Sequence, residues 1–174
     1  MITEKNALEL LKKYALSPQR IDHCIGVAEF AFDLAIRIHK NHPDLPIDPF
    51  KIKRAGLLHD IGRCQPGDHE LNTLSILKQE GLNDIAAITI HGSIYEIMLL
   101  RGVDNPELLP KSIENKIVAY ADSRFNYRLV TQQERWKEIE SRRKDETEKI
   151  SSLRMSKKRF IEMEKEIESL CNKL

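Results

Sequence analysis

The stretch Lys53-Arg-Ala-Gly-Leu-Leu-His59-Asp60-Ile61-Gly62 decides the reading of this chain. An apolar helical run carries straight into an adjacent histidine and aspartate, and a charged Asp is seldom buried without a partner or a cation. Three other positions repeat the pattern. His23 opens the amphipathic run from Cys24 to Ile36, His91 follows Ile85-Ala-Ala-Ile-Thr-Ile90, and Asp122 closes Lys116-Ile-Val-Ala-Tyr-Ala-Asp122. Taken singly, these are ordinary events: a core histidine, a surface histidine, a helix-end carboxylate. The His59-Asp60 pair resists that account, because both side chains must be satisfied within one turn of an apolar helix. Imidazole and carboxylate together suit a borderline divalent transition metal, manganese, iron or zinc, with magnesium less favoured as histidines accumulate.

Working outward, the helix that delivers His59 and Asp60 starts at Asp48-Pro49, with Asp48 suited to cap and Pro49 to the first helical position. Gly62 ends or loosens it. Upstream, Thr3 caps a first helix to Tyr14, and Ser17-Pro18 starts a second that carries His23 and runs to about His39. Downstream, Cys64-Gln-Pro-Gly-Asp68 is a turn, and His69 begins a helix that ends near Gly81. Asn83-Asp84 can cap a short helix to His91. From Gly92 to Pro110 the text reads as loop with one helical turn around Ile94 to Leu100, a candidate lid, and Ser112 caps the helix that delivers Asp122.

With those residues in place, the chain resembles the HD-domain superfamily of metal-dependent phosphohydrolases, in its HDIG-type subgroup. The likeness is carried by Arg20-Ile-Asp-His23, Ala55-Gly-Leu-Leu-His59-Asp60-Ile61-Gly62-Arg63, His69-Glu70 running into Ile76-Leu77, Ile90-His91 and Ile117-Val-Ala-Tyr-Ala-Asp122, over roughly residues 20 to 125. It implies an all-α helical bundle in which His23, His59, Asp60 and Asp122 hold a first ion. His69 and His91 fall where two-metal members carry additional histidines. The text departs from many two-metal relatives in having Asn72-Thr73-Leu74-Ser75 where a Gly is common, and His91-Gly92 in place of paired histidines. The resemblance further implies hydrolysis of a small phosphate ester, a nucleotide or related mono- or diester, by metal-activated water, with His59 and Asp60 as the catalytic pair. Arg63 stands where nucleoside-monophosphate phosphatases of the superfamily carry a glutamate, and the Glu-Asp motif of alarmone hydrolases is missing. The alternative reading is a non-catalytic scaffold of the same fold that binds a nucleotide or RNA.

A phosphate needs positive partners, and proximity to the ligand motifs nominates Arg20, Arg63 and Arg124 for substrate binding. At 174 residues the chain can bury a core without disulfides or structural zinc. A formal net charge of +1 supplies no global field to recruit nucleic acid or an acidic membrane. Cys24, Cys64 and Cys171 lack finger spacing and suit a reducing compartment, where the two near the ligand motifs read as small apolar residues. The first residues, Met1-Ile-Thr-Glu-Lys-Asn, show no signal pattern and no apolar run approaches a membrane span, so a cytoplasmic protein is expected.

The helical domain is expected over residues 1–130 and a charged helical extension over 131–174, packing on the core or on a second subunit as a homodimer. No Gly or Pro follows Pro110, and Trp136, Ile139, Ile150, Leu153, Phe160, Ile167, Cys171 and Leu174 fall near a seven-residue spacing with charged gaps. The cluster Arg154, Lys157, Lys158, Arg159 reads as a solvated face, with nucleic acid contact as the sharper alternative.

Overall fold

A computed structural model describes residues 2–172 of the chain. The fold is all-α, and its first three helices begin where local chemistry starts them. Helix α1 (Glu4–Lys13) is capped by the Thr3 side chain, which accepts from the Asn6 N–H. Helix α2 (Pro18–Asn41) starts at Pro18 behind the Ser17 cap, and α3 (Pro49–Leu58) follows Asp48, whose carboxylate accepts from the N–H groups of Phe50 and Lys51. Each cap satisfies helix N–H groups that lack a partner within the helix.

The centre of the bundle is α2, α3 and α7 (Ile113–Arg124), which pack on one another. Small residues allow the close approach of α2 and α3: Ala28, Ala31 and Ala35 are fully buried, and a Cβ at Gly56 would stand 2.8 Å from the Ala28 Cα. Around this centre lie α4 (His69–Gln79), the single turn α5 (Asn83–Ala86) and α6 (Ile94–Leu100). A 3₁₀ turn, Ile61–Cys64, joins α3 to the loop before α4.

One segment differs from expectation. The helix expected to run from Asn83 to His91 stops at Ala86, and Leu82 rather than Asn83 occupies the cap position. Residues 88–92 leave the helix because their backbone groups find tertiary partners: Asn115 Nδ2 donates to the Ile90 carbonyl at 2.6 Å, and Glu70 accepts from the N–H groups of His91 and Gly92. The helical turn expected around Ile94 to Leu100 is present as α6, and its buried Ile94 and Ile97 join a small second core with Ile90 and Leu108.

The last third forms a helical hairpin, α8 (Gln132–Arg142) and α9 (Thr147–Cys171). A reciprocal capping box between Thr131 and Glu134 starts α8. Helix α9 packs across α2, α6 and α7, and its Phe160, Met163, Ile167 and Cys171 enter the same core as the central helices. Arg159, read from sequence as part of a solvated face, turns inward instead. Its guanidinium binds both oxygens of Glu96 at 2.9 Å and donates to the Gly92 carbonyl at 3.1 Å, tying α9 to the start of α6. Among the described residues no helix is long and apolar enough to cross a membrane.

Candidate metal centre

Three helices bring the first four expected ligands to one place. His23 lies in the second turn of α2, His59 and Asp60 at the end of α3, and Asp122 near the end of α7. His23 Nε2 stands 3.0 Å and His59 Nε2 3.5 Å from the same Asp122 oxygen, so these three form one group of donor atoms. His59, Asp60 and His91 form a second group that shares His59 with the first. His69 adjoins it: its Nε2 is 3.2 Å from His91 Nε2 and 3.4 Å from Asp60 Oδ1. All six residues named from sequence therefore converge.

The tautomers suit a cation. His59 Nδ1 donates to the Gly56 carbonyl at 2.7 Å, and His91 Nδ1 donates to the Thr89 carbonyl at 2.8 Å. In the neutral ring each of these hydrogen bonds leaves Nε2 with its lone pair facing the carboxylates, the usual arrangement of a metal-ligating histidine. His59 Nε2 and Asp60 Oδ1 are buried without any hydrogen-bond partner. Two orphaned acceptors side by side are costly, and a divalent ion would satisfy both. The residues present therefore fit a metal.

Electrostatics agrees. Burial opposes ionisation of Asp60, yet the positive charges of His59 and Arg63 outweigh it and hold the carboxyl well below the usual range. Burial likewise opposes Asp122, and the hydrogen bond from His23 together with the nearby His59 and His91 rings keeps it well below as well. Burial pulls His91 down, but Glu70, Asp60 and Asp122 push it up to about 9, which shows how strongly the acidic surroundings favour positive charge at that point. Burial, reinforced by Arg63 and His91, holds His69 well below the ordinary histidine value, as a ligand lone pair requires.

The three nominated arginines divide. Arg63 Nε binds Asp60 Oδ2 at 2.5 Å and its Nη2 reaches His69 Nε2 at 3.0 Å, while Arg20 approaches the same Asp60 oxygen at 3.5 Å. Arg124 is directed elsewhere, to Tyr120, the Val130 carbonyl and Glu164 of α9 at 3.1 Å. It stands two residues from Asp122, about 200° around the helix, and that rotation turns it to the C-terminal hairpin. None of the three cysteines belongs to either donor group. Cys24 and Cys171 are buried in the core, and Cys64 is partly exposed.

Three positioning residues escaped the sequence reading. Buried Thr73 accepts from the Gly62 N–H and donates to the His59 carbonyl, both at 3.0 Å, so one hydroxyl fixes the backbone on either side of Asp60. Glu70 holds the backbone of His91 and Gly92, and Asn115 holds Ile90. Buried Glu70 beside a candidate ligand was the one visible signal. Gly62 matters through close approach: a Cβ there would lie 2.1 Å from the His69 carbonyl oxygen and 2.4 Å from the Thr73 nitrogen. Only glycine lets the first turn of α4, with His69, settle on the turn that carries Asp60.

The donors open on a pocket whose floor includes His69, His91, Asp122 and Arg63 and whose roof is the α8–α9 hairpin, including Trp136 and Phe160. A model of the HD domain family matches residues 20–126. The chain is 30% identical over 126 residues to an uncharacterized protein of Methanocaldococcus jannaschii, a match covering 68% of this chain and 73% of that one. It is 33% identical over 129 residues to the tRNA (cytidine(56)-2'-O)-methyltransferase of Thermoplasma volcanium, which covers 70% of this chain and 36% of that enzyme. No solved structure matches. The family match spans the residues that carry every donor of the centre, from His23 to Asp122, and the chain belongs to the HD domain family.

Proposed function

We propose that the chain is a metal-dependent phosphohydrolase acting on a small phosphate ester. The observation that carries the reading is the pair of orphaned acceptors, His59 Nε2 and Asp60 Oδ1, standing between two adjoining donor groups at the floor of an arginine-bearing pocket. His23, His59, Asp60 and Asp122 would hold a first ion, and His69 and His91, with Asp60 shared, a second. Manganese, iron or zinc fits a donor set of four histidines and two carboxylates. Such an ion, when bound, neutralises charge on the phosphoryl oxygens and lowers the pKa of water.

The chain's own residues do the rest. Arg63 and Arg20 sit at the edge of the centre, placed to take non-bridging phosphate oxygens, and Arg63's planar fork suits that task. Asp60 and Asp122 are ionised across the neutral range, so either can accept a proton during turnover. Thr73 and Glu70 keep the donors from relaxing away from one another. The roof of Trp136, Leu153 and Phe160 gives the organic part of the ester an apolar wall.

The test is turnover of nitrophenyl phosphate, bis-nitrophenyl phosphate and a nucleotide panel with each of the three metals. Activity with at least one ester, lost in Asp60→Asn while the fold is kept, is expected. No turnover of any ester by a metal-loaded protein would refute it.

A second reading, a scaffold that binds an RNA end, is favoured by one observation: the likeness to a tRNA methyltransferase over 129 residues. Sequence-independent RNA binding that weakens steeply with salt, by a protein without hydrolytic activity, would select it.

A further inference from the structure

The pocket under the hairpin is continuous in its lining with a second, more open groove on the far side of Arg63 and His69. Arg63, His69, Arg143 and Lys149 line both, and the groove adds Arg20 and Ser17. Four cations thus border one passage beside the metal centre. Two of them, Arg63 and Arg20, share the single Asp60 Oδ2 oxygen. Lys149 is held by Asp68 at 3.1 Å.

Arg143 is the least accounted for. It follows α8 at the corner of the hairpin, where a side chain could turn freely to water, yet it is only 21% exposed and reaches one carboxylate, that of Glu146, itself half exposed. Burial and the neighbouring charges Arg142, Arg63 act together to pull its pKa down, with Glu146 opposing them. An arginine kept partly buried among other guanidiniums is stabilised by an anion arriving between them. Arg135 and Arg142, also on the pocket wall, share Glu138 at 2.8 and 2.7 Å, and Glu140 pairs with Lys157 at 3.0 Å.

We infer that the corner of the α8–α9 hairpin is a second anion subsite, in which Arg143 and Lys149 receive a phosphate group other than the one at the metal centre. The preferred ligands are small organic esters that carry two phosphates. This rests on the phosphohydrolase reading for the first phosphate. The apolar roof of Trp136, Ile139, Leu153 and Phe160 takes the organic part.

The test is equilibrium binding of adenosine monophosphate and of an adenosine bisphosphate, with one phosphate on each side of the ribose, to the full-length metal-loaded chain. The wild type is expected to prefer the bisphosphate by about tenfold, the worth of one charge-assisted hydrogen bond set. Arg143→Gln is expected to erase most of that ratio, and Arg143→Lys to restore part of it, which a merely misfolded variant would not do. Binding of both ligands with no preference, or a preference untouched by Arg143→Gln, overturns the second subsite and leaves the phosphohydrolase reading standing. Binding of neither ligand overturns both.

Discussion

Replacing Gly62 by alanine should damage fold and site together. The added methyl would lie 2.1 Å from the His69 carbonyl oxygen, 2.4 Å from the Thr73 nitrogen and 2.8 Å from the Asn72 Cβ, against the 3.4 Å at which ordinary contact begins. The two closest atoms are backbone, so no rotamer change relieves the clash. Recovering 3.4 Å from 2.1 Å demands a shift of 1.3 Å between the 3₁₀ turn and the first turn of α4. Overpacking of this kind costs about 3 kcal/mol. The same shift stretches the 3.0 Å bond from the Gly62 N–H to Thr73, another ~1 kcal/mol. Alanine recovers about 0.5–1 kcal/mol by restricting the unfolded chain. The net loss should be about 3 kcal/mol. Urea unfolding of metal-free protein measures it, with Gly67→Ala as control, where φ is +98° and no atom lies within 4 Å, so that only a backbone cost of about 1 kcal/mol applies. Because His69 moves off Asp60, Gly62→Ala should also weaken any ion held by His69 and His91. A loss below about 1 kcal/mol with unchanged metal affinity would refute the close-approach argument.

Thr73→Val keeps shape but removes the hydroxyl, leaving the Gly62 N–H and His59 carbonyl without it; a loss of about 2–4 kcal/mol in urea unfolding is expected, with Thr73→Ser near wild type, and equal stability of the two variants would contradict the assigned role. Arg159→Ala strands the buried Glu96 carboxylate and should cost about 3 kcal/mol, whereas Glu96→Leu combined with Arg159→Met should recover much of it; a double variant no better than the single would argue against an ion-pair origin. The hairpin is clasped to α4 through Asp68, which accepts from Arg101 and Lys149. Burial pushes the Asp68 carboxyl up, but those two hydrogen bonds outweigh it and lower it below the ordinary aspartate value. Since the folded-state pKa is the depressed one, the clasp is at full strength above the unfolded value of about 4 and is lost as pH falls through the lower folded value. The stability gap between wild type and Asp68→Asn should therefore close in acid below about pH 4, and a gap that persisted there would refute the clasp.

Much of this was legible in the sequence, for identifiable reasons. Capping residues are local, so Thr3, Ser17, Asp48 and Ser112 marked their helices correctly. Costly polar groups in apolar text are local too, which is why His23, His59, Asp60, His91 and Asp122 stand out in the sequence alone. The end of α5 could not, because it depends on Asn115 and Glu70 reaching across from other helices. Arg124 and Arg159 were misplaced for a related reason: sequence neighbours on a helix point in different directions, and their carboxylate partners lie 40 and 63 residues away. The roof of the pocket was hidden in a tail whose charged gaps concealed that one face of α8 and α9 looks onto the metal centre.

The most direct test of the central claim is the metal content of protein purified without chelator, set beside Asp60→Ala. One or two divalent transition-metal ions per chain are expected in the wild type, and their loss in the variant. No ion in the wild type, even after soaking with manganese, iron and zinc, would contradict it.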